Sequence, residues 1–176
     1  MSDVQATRII ATILADYLPT KLAELATEAG VPAQTVAAVA TGRHIRSDLV
    51  GQVGVWVEDS DTTQQFLQLV EYRDCRVVVE ATVSALDMSL LDTVRSVWAD
   101  AIRAVVKQRY RVSSDAGFYI VRRDEVLNSQ SSARTNNSIR GALGNVLGAL
   151  RQAPSVDQIA VRFTLGQRVS VQTDLA

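Results

Sequence analysis

The segment Arg76-Val77-Val78-Val79-Glu80-Ala81-Thr82-Val83 constrains the fold more than any other stretch of the chain. It is rich in β-branched residues and almost unbroken in hydrophobicity, the composition of a buried central strand. Shortly after it, Asp87 offers a side-chain oxygen to cap a helix, and Leu90, Leu91, Val94, Val97, Trp98, Ala101, Ile102 and Val105 recur at three- and four-residue steps. Asp92, Arg95, Arg103 and Lys107 fall off that stripe. A strand that needs covering, followed by a helix with one apolar face, predicts a helix-on-sheet layer with Leu91, Val94, Trp98, Ile102 and Val105 against Val77–Val83.

The remaining elements follow from the same periodicities. From Val4 to Leu25, the residues Ile9, Ile10, Ile13, Leu14, Tyr17, Leu18, Leu22 and Leu25 predict an amphipathic helix, which Pro19 kinks or splits because it lacks a backbone donor. Gly30, Val31 and Pro32 end that block, and Ala33 to Ala40 is expected to add one or two helical turns. Val53, Val55 and Val57 alternate with Gly54 and Trp56 as a first strand, with the Glu58–Asp61 cluster as its closing turn. Phe66 to Tyr72 fits no single period, and together the two segments around Asp74 resemble a hairpin or one bulged long strand feeding one sheet. Phe118 to Val126 is extended again. Residues 128–138 are small and polar throughout and predict a flexible loop, and Ile139 to Leu150 a short helical stretch interrupted by Gly141, Gly144 and Gly148. Ile159, Val161, Phe163 and Leu165, then Gly166-Gln167, then Val169 and Val171 predict a terminal hairpin whose last strand lies at a sheet edge.

These parts add up to an α/β (α+β) fold, a single mixed, mainly antiparallel sheet flanked by amphipathic helices, in one domain over 1–176. At 176 residues one core is the default. The apolar runs are far shorter than the roughly 20 residues that cross a bilayer, so no membrane partner is expected. The N-terminal stretch, with Asp3, Arg8, Asp16 and Lys21 among its apolar residues, lacks the pattern of a signal peptide. Cys75 is the only cysteine, which fits a reducing compartment. The formal net charge of −1 conceals an asymmetry: residues 1–100 carry 7 basic and 14 acidic side chains, residues 101–176 carry 11 and 5. Such a division suits either contact between unlike subunit surfaces or attraction of nucleic acid.

Chemistry is harder to find. His44 is the only histidine, and neither Ser47 nor Cys75 lies in a nucleophile motif beside it; Gly42-Arg43-His44-Ile45-Arg46 is better explained as a basic surface turn. The clusters Glu58/Asp59/Asp61 and Asp124/Glu125 lack the alternation of a calcium loop and are expected to be solvated turn charges. Gly141, Gly144 and Gly148 have neither the lysine and hydroxyl of a P-loop nor dinucleotide spacing. No catalytic residue, cofactor or metal is therefore expected, and an enzyme is the least favoured class. Arg109, Arg111, Arg122, Arg123, Arg134 and Arg140 stand out as a candidate interface, since arginine serves both phosphate contacts and ion pairs between subunits. Only Tyr110, Phe118 and Tyr119 lie near them to stack on bases, so subunit contact or a charged pore is favoured over nucleic-acid recognition.

The order of parts, with Asp74-Cys75-Arg76-Val77-Val78-Val79-Glu80-Ala81-Thr82-Val83 leading into Leu90 to Val106, resembles the tail-terminator proteins of tailed bacteriophages. That resemblance implies a structural virion subunit, made in the host cytoplasm, that closes into a ring with copies of itself, commonly a hexamer. The ring lies between the tail tube and the head-side connector, with DNA passing through it. The chain departs from many phage neck proteins in its longer loop region, and another neck or head-completion subunit fits the same pattern. A nucleic-acid-binding module using the Arg-rich C-terminal portion is the alternative from a different class.

Overall fold

The structure, a computed structural model, describes residues 3–42, 50–66, 70–85, 87–109, 119–127 and 155–170. Among these residues the chain forms two helices and five strands: α1 (Asp3–Ala29), β1 (Ala38–Thr41), β2 (Gln52–Phe66), β3 (Val70–Ala85), α2 (Met88–Arg109), β4 (Tyr119–Leu127) and β5 (Ser155–Ser170). All five strands belong to one sheet in the order β1-β2-β3-β5-β4. β1 runs parallel to β2 and every other pairing is antiparallel. The fold is the mixed, mainly antiparallel α+β sheet expected from the pattern of elements.

The Val-rich segment is the middle of β3, the central strand. Its ladder with β5 is unbroken from Val70↔Ser170 to Ala85↔Ser155. Because β4 and β3 both run antiparallel to β5, they run in the same sense, and α2 carries the chain from one to the other across the position that β5 fills. Strand alternation then sorts the side chains. Val53, Val55, Val77, Val79, Ala81, Val83, Ile159, Val161, Phe163 and Leu165 are buried on the face that both helices cover.

The helix α2 buries Leu91, Val94, Val97, Trp98, Ala101, Ile102 and Val105, the stripe expected of it, with Leu90 half-buried. Its N-terminus is capped as anticipated: Asp87 Oδ1 accepts the Ser89 backbone N–H at 2.9 Å, and that bond holds the Asp87 carboxyl below its usual range. Trp98 is fully buried and donates its indole N–H to Gln34 Oε1 at 3.1 Å, tying α2 to the segment after α1.

In α1 the buried residues Ala6, Ile10, Leu14, Leu18, Leu22 and Ala26 follow one i, i+4 row, with Ile13 beside it. Tyr17 lies off this row and is 40% exposed, so the sequence stripe was drawn too wide. Pro19 neither splits nor ends the helix. Pro19 is exposed, and so is Ala15, to whose carbonyl it cannot donate, so the lost bond falls on the solvent side. The helix closes after Ala29 with Gly30 N–H on the Thr27 carbonyl and Val31 N–H on the Ala26 carbonyl, at 3.2 and 3.0 Å, a Schellman arrangement that places Val31 in the core.

Four local expectations are corrected. Ala33 to Ala40 adds no helical turn: residues 31–37 are irregular and Ala38–Thr41 pairs with β2, because the edge of the sheet supplies a partner that a short Ala/Val helix after Pro32 lacks. Gly51 makes this possible. Its N–H reaches the Thr82 carbonyl at 2.7 Å, its carbonyl accepts Ala37 N–H at 2.8 Å, and with φ at +80° any side chain there would run into the Thr35 backbone. The Glu58–Asp61 cluster is no turn, since β2 continues to Phe66 and absorbs the irregularity as register shifts at Val57/Asp59 and Thr62/Gln64. Gly166-Gln167 is no turn either: β5 passes straight through. Finally, β5 lies between β3 and β4, so the edge strands are β1 and β4 rather than the C-terminal one. The expected loop at 128–138 and the stretch Ile139 to Leu150 lie outside the described residues.

Replacing Trp98 with Ala removes a fully enclosed ring and is expected to cost about 3–5 kcal/mol, whereas Thr93→Ala on the exposed side of α2 should stay within about 0.5 kcal/mol. Urea denaturation of the two variants measures the difference, and an unchanged midpoint for the Trp98 variant contradicts this packing.

Candidate functional site: the outer sheet face and the two flanks

With α1 and α2 on one face, the opposite face of the sheet carries the charges. Across it in register lie Trp56, Val78, Arg162 and Glu125, one from each of β2, β3, β5 and β4. Arg162 grips both oxygens of Glu58, Nε to Oε2 at 2.6 Å and Nη2 to Oε1 at 2.7 Å, and lies 3.6 Å from Glu125. A planar guanidinium matched to a carboxylate in this forked geometry is the strong form of an ion pair. The hydrogen bond to Glu58 holds Arg162 firmly in its charged form. Among the described residues no helix or further strand packs on this face.

Of the candidate arginines, Arg122 and Arg123 are the two whose side chains fall among the described residues, and they stand differently. Arg122 is the extra residue of a bulge in β4, between Val121↔Leu165 and Arg123↔Thr164. The bulge throws its side chain across Gly166 of β5 to Asp74 of β3, where Nη1 lies 3.1 Å from Oδ1. The Arg122 side chain lies over Gly166, where a Cβ would meet its guanidinium and oblige that flexible side chain to move aside. Asp74 Oδ1 receives no well-aligned hydrogen bond, so the contact is chiefly one of charge. Arg123 is exposed on the edge strand. Arg109 closes α2, and Arg111, Arg134 and Arg140 lie outside the described residues, as do His44 and the glycines 141, 144 and 148. Cys75 is buried on the helix-covered face, and no group of three or more His, Cys, Asp or Glu suited to a metal ion occurs among the described residues.

Sequence reasoning missed the carboxylates on the helix side. Asp124 of β4 faces α2, where Arg103 and Lys107 both contact it, Lys107 at 2.5 Å. Burial pushes the Asp124 carboxyl up, but hydrogen bonds from Lys107 and Arg103 outweigh this and hold it below its usual range. Asp157, 4% exposed on β5, lies 3.3 Å from Arg95 Nε and accepts the Gln158 N–H. Asp124 looked like a turn charge, and Arg95, Arg103 and Lys107 like plain surface. The one available signal was their i, i+8, i+12 recurrence along a single edge of α2.

The strand order also sorts charge across the molecule. At one end of the sheet, beneath α1, stand β1 and β2. Here α1 carries four acidic and two basic residues, β2 three acidic and no basic ones, and β1 none of either. At the other end α2 carries four basic and two acidic residues, β5 two basic and one acidic, and β4 two of each. The two flanks thus differ in sign.

No protein-family model matches this chain, and no curated protein aligns with it closely enough to count as a relative.

The Asp124 contacts have a pH signature. Since the folded carboxyl sits below its unfolded value, its contribution is complete above about pH 4 and is lost as pH falls through the folded value. Asp124→Asn should cost about 1 kcal/mol near neutral pH, a figure reduced for screening of the partly exposed Arg103 and Lys107, and the gap to the parent should close in strong acid. A gap that is constant from pH 7 to pH 2 in denaturation curves contradicts the ion-pair account.

Proposed function

We propose that this protein is a structural virion subunit of a tailed bacteriophage, of the tail-terminator type, whose work is subunit association rather than catalysis. Copies form a ring, a hexamer in the tail-terminator pattern, between the tail tube and the head-side connector, with DNA passing through. The observation that carries the reading is the opposite charge of the two flanks. A contact between identical patches sets like against like, whereas a head-to-tail contact sets the acidic flank of one copy against the basic flank of the next, and head-to-tail contacts close into rings when the rotation between copies permits. The order of elements supports it too, because the central Val-rich strand leading into α2 is the part on which the resemblance to tail terminators rests. Another neck or head-completion subunit would use the same surfaces.

The nucleic-acid alternative draws less support. Few aromatic side chains stand near the candidate arginines in the sequence to stack on bases, only Tyr110, Phe118 and Tyr119.

Native mass spectrometry across a concentration series, with electron microscopy of the parent particle, tests the proposal. Rings, or the subunit located at the tail end of a particle, are expected, with assembly slowing as salt rises because steering between flanks is screened. A monomer at every concentration that is found in no particle overturns it. So does binding of bare DNA that weakens steeply with salt and needs no other protein.

A further inference from the structure

We propose that neighbouring copies join edge to edge, the outer edge of β4 in one copy pairing antiparallel with the outer edge of β1 in the next, so that the sheet runs on from subunit to subunit. This rests on the head-to-tail reading above and specifies its junction; the partner is a second copy of this chain.

The strand order is the first ground. β1 and β4 end the sheet, and among the described residues each pairs on one side only. Direction is the second. β1 runs with β2, and the three antiparallel steps from β2 through β3 and β5 leave β4 running against it. Copies related by rotation around a ring axis keep their sense, so β4 of one meets β1 of the next in antiparallel fashion, the better hydrogen-bonding arrangement.

The side chains of these edges are the third. On the helix-covered face one row crosses the whole sheet in register: Thr41, Val55, Val79, Val161 and Val126. The three inner valines are fully buried, while Val126 is 44% exposed and Thr41 is exposed at the other end. Val126 is an apolar residue at the end of a buried row, left uncovered for want of one more strand. β1 also lacks the usual defences of an edge. Ala38, Val39, Ala40 and Thr41 include no charge and no proline, the devices by which edge strands avoid pairing with other chains. The charges of β4, for their part, are largely engaged within the molecule: Arg122 by Asp74, Asp124 by Arg103 and Lys107, and Glu125 by Arg162. Backbone pairing at an edge gives affinity, and the opposite sense of β1 and β4 sets them against each other when copies are related by rotation about a ring axis.

Thr41→Cys and Val126→Cys, both exposed positions, are combined in the full chain with buried Cys75 replaced by Ala, and the assembled protein is treated with a short bis-maleimide. Linkage between positions 41 and 126 of different copies is expected, as a ladder up to the ring size. Each single-cysteine protein, and a Thr93→Cys, Thr41→Cys control, should give no ladder. Val126→Glu should lower ring formation by about tenfold or more, because it buries a carboxylate in a junction whose facing strand, Ala38–Thr41, offers it no cation, with the melting temperature of the isolated subunit unchanged. Rings that form without a 41–126 link, or that tolerate Val126→Glu, overturn this junction and leave the ring intact. Absence of any ring or particle overturns both.

Discussion

The ladder between β3 and β5 is the interaction on which the rest of the structure depends. It brings the C-terminal strand into the centre of the sheet and lines up Val77, Val79, Ala81 and Val83 with Phe163, Val161, Ile159 and Asp157. Without it the helix-covered face would lose one whole rank of its core, and β4 would have no neighbour at all among the described residues. Each fully buried Val, Ile, Leu or Phe in these ranks contributes on the order of 1.5–3 kcal/mol against exposure, so the ladder and the layer of α1 and α2 above it stabilise each other.

Around this core the charges act as fasteners. Asp124 and Asp157 lie beneath α2 on two different strands, each met by cations of the helix, and together they set how the helix lies across β4 and β5. On the opposite face Arg162 bridges β2 to β4 through Glu58 and Glu125, and Arg122 bridges β4 to β3 across Gly166. Removing one member of a partly buried pair costs more than the pair is worth over apolar substitutes, since the partner is left desolvated and unmatched. These bridges are better understood as fixing alignment than as the main source of stability. A rigid sheet with aligned edges is what a subunit needs if its neighbours are to meet it in a repeatable way.

Much of this was legible in the residues. The central strand, both helices, the Asp87 cap and the Gly30 stop follow from composition and period, because burial on a helix face or a two-faced strand leaves a local repeat. The failures are of one kind. Glu58–Asp61 and Gly166-Gln167 carry turn chemistry yet lie inside long strands, where Arg162, from far along the chain, pairs with Glu58 and the Arg122 side chain lies over Gly166. Ala33 to Ala40 has helical composition, but the edge of β2 claims its second half. Of the candidate interface, the sequence singled out Arg122 and Arg123 but missed Arg162, whose partner Glu58 stands 104 residues away.

By itself the sequence determined the class of fold, the elements that build the core, and an uneven distribution of charge between its halves, because each of these is a local property of composition or period. Only the tertiary structure decided that β5 is interior, that β1 and β4 are the edges, and that the acidic and basic portions lie at opposite ends of one sheet. Strand order depends on which distant segments hydrogen-bond to each other, and no local pattern encodes it: a strand looks the same at the centre of a sheet as one place from its rim until its neighbours are known.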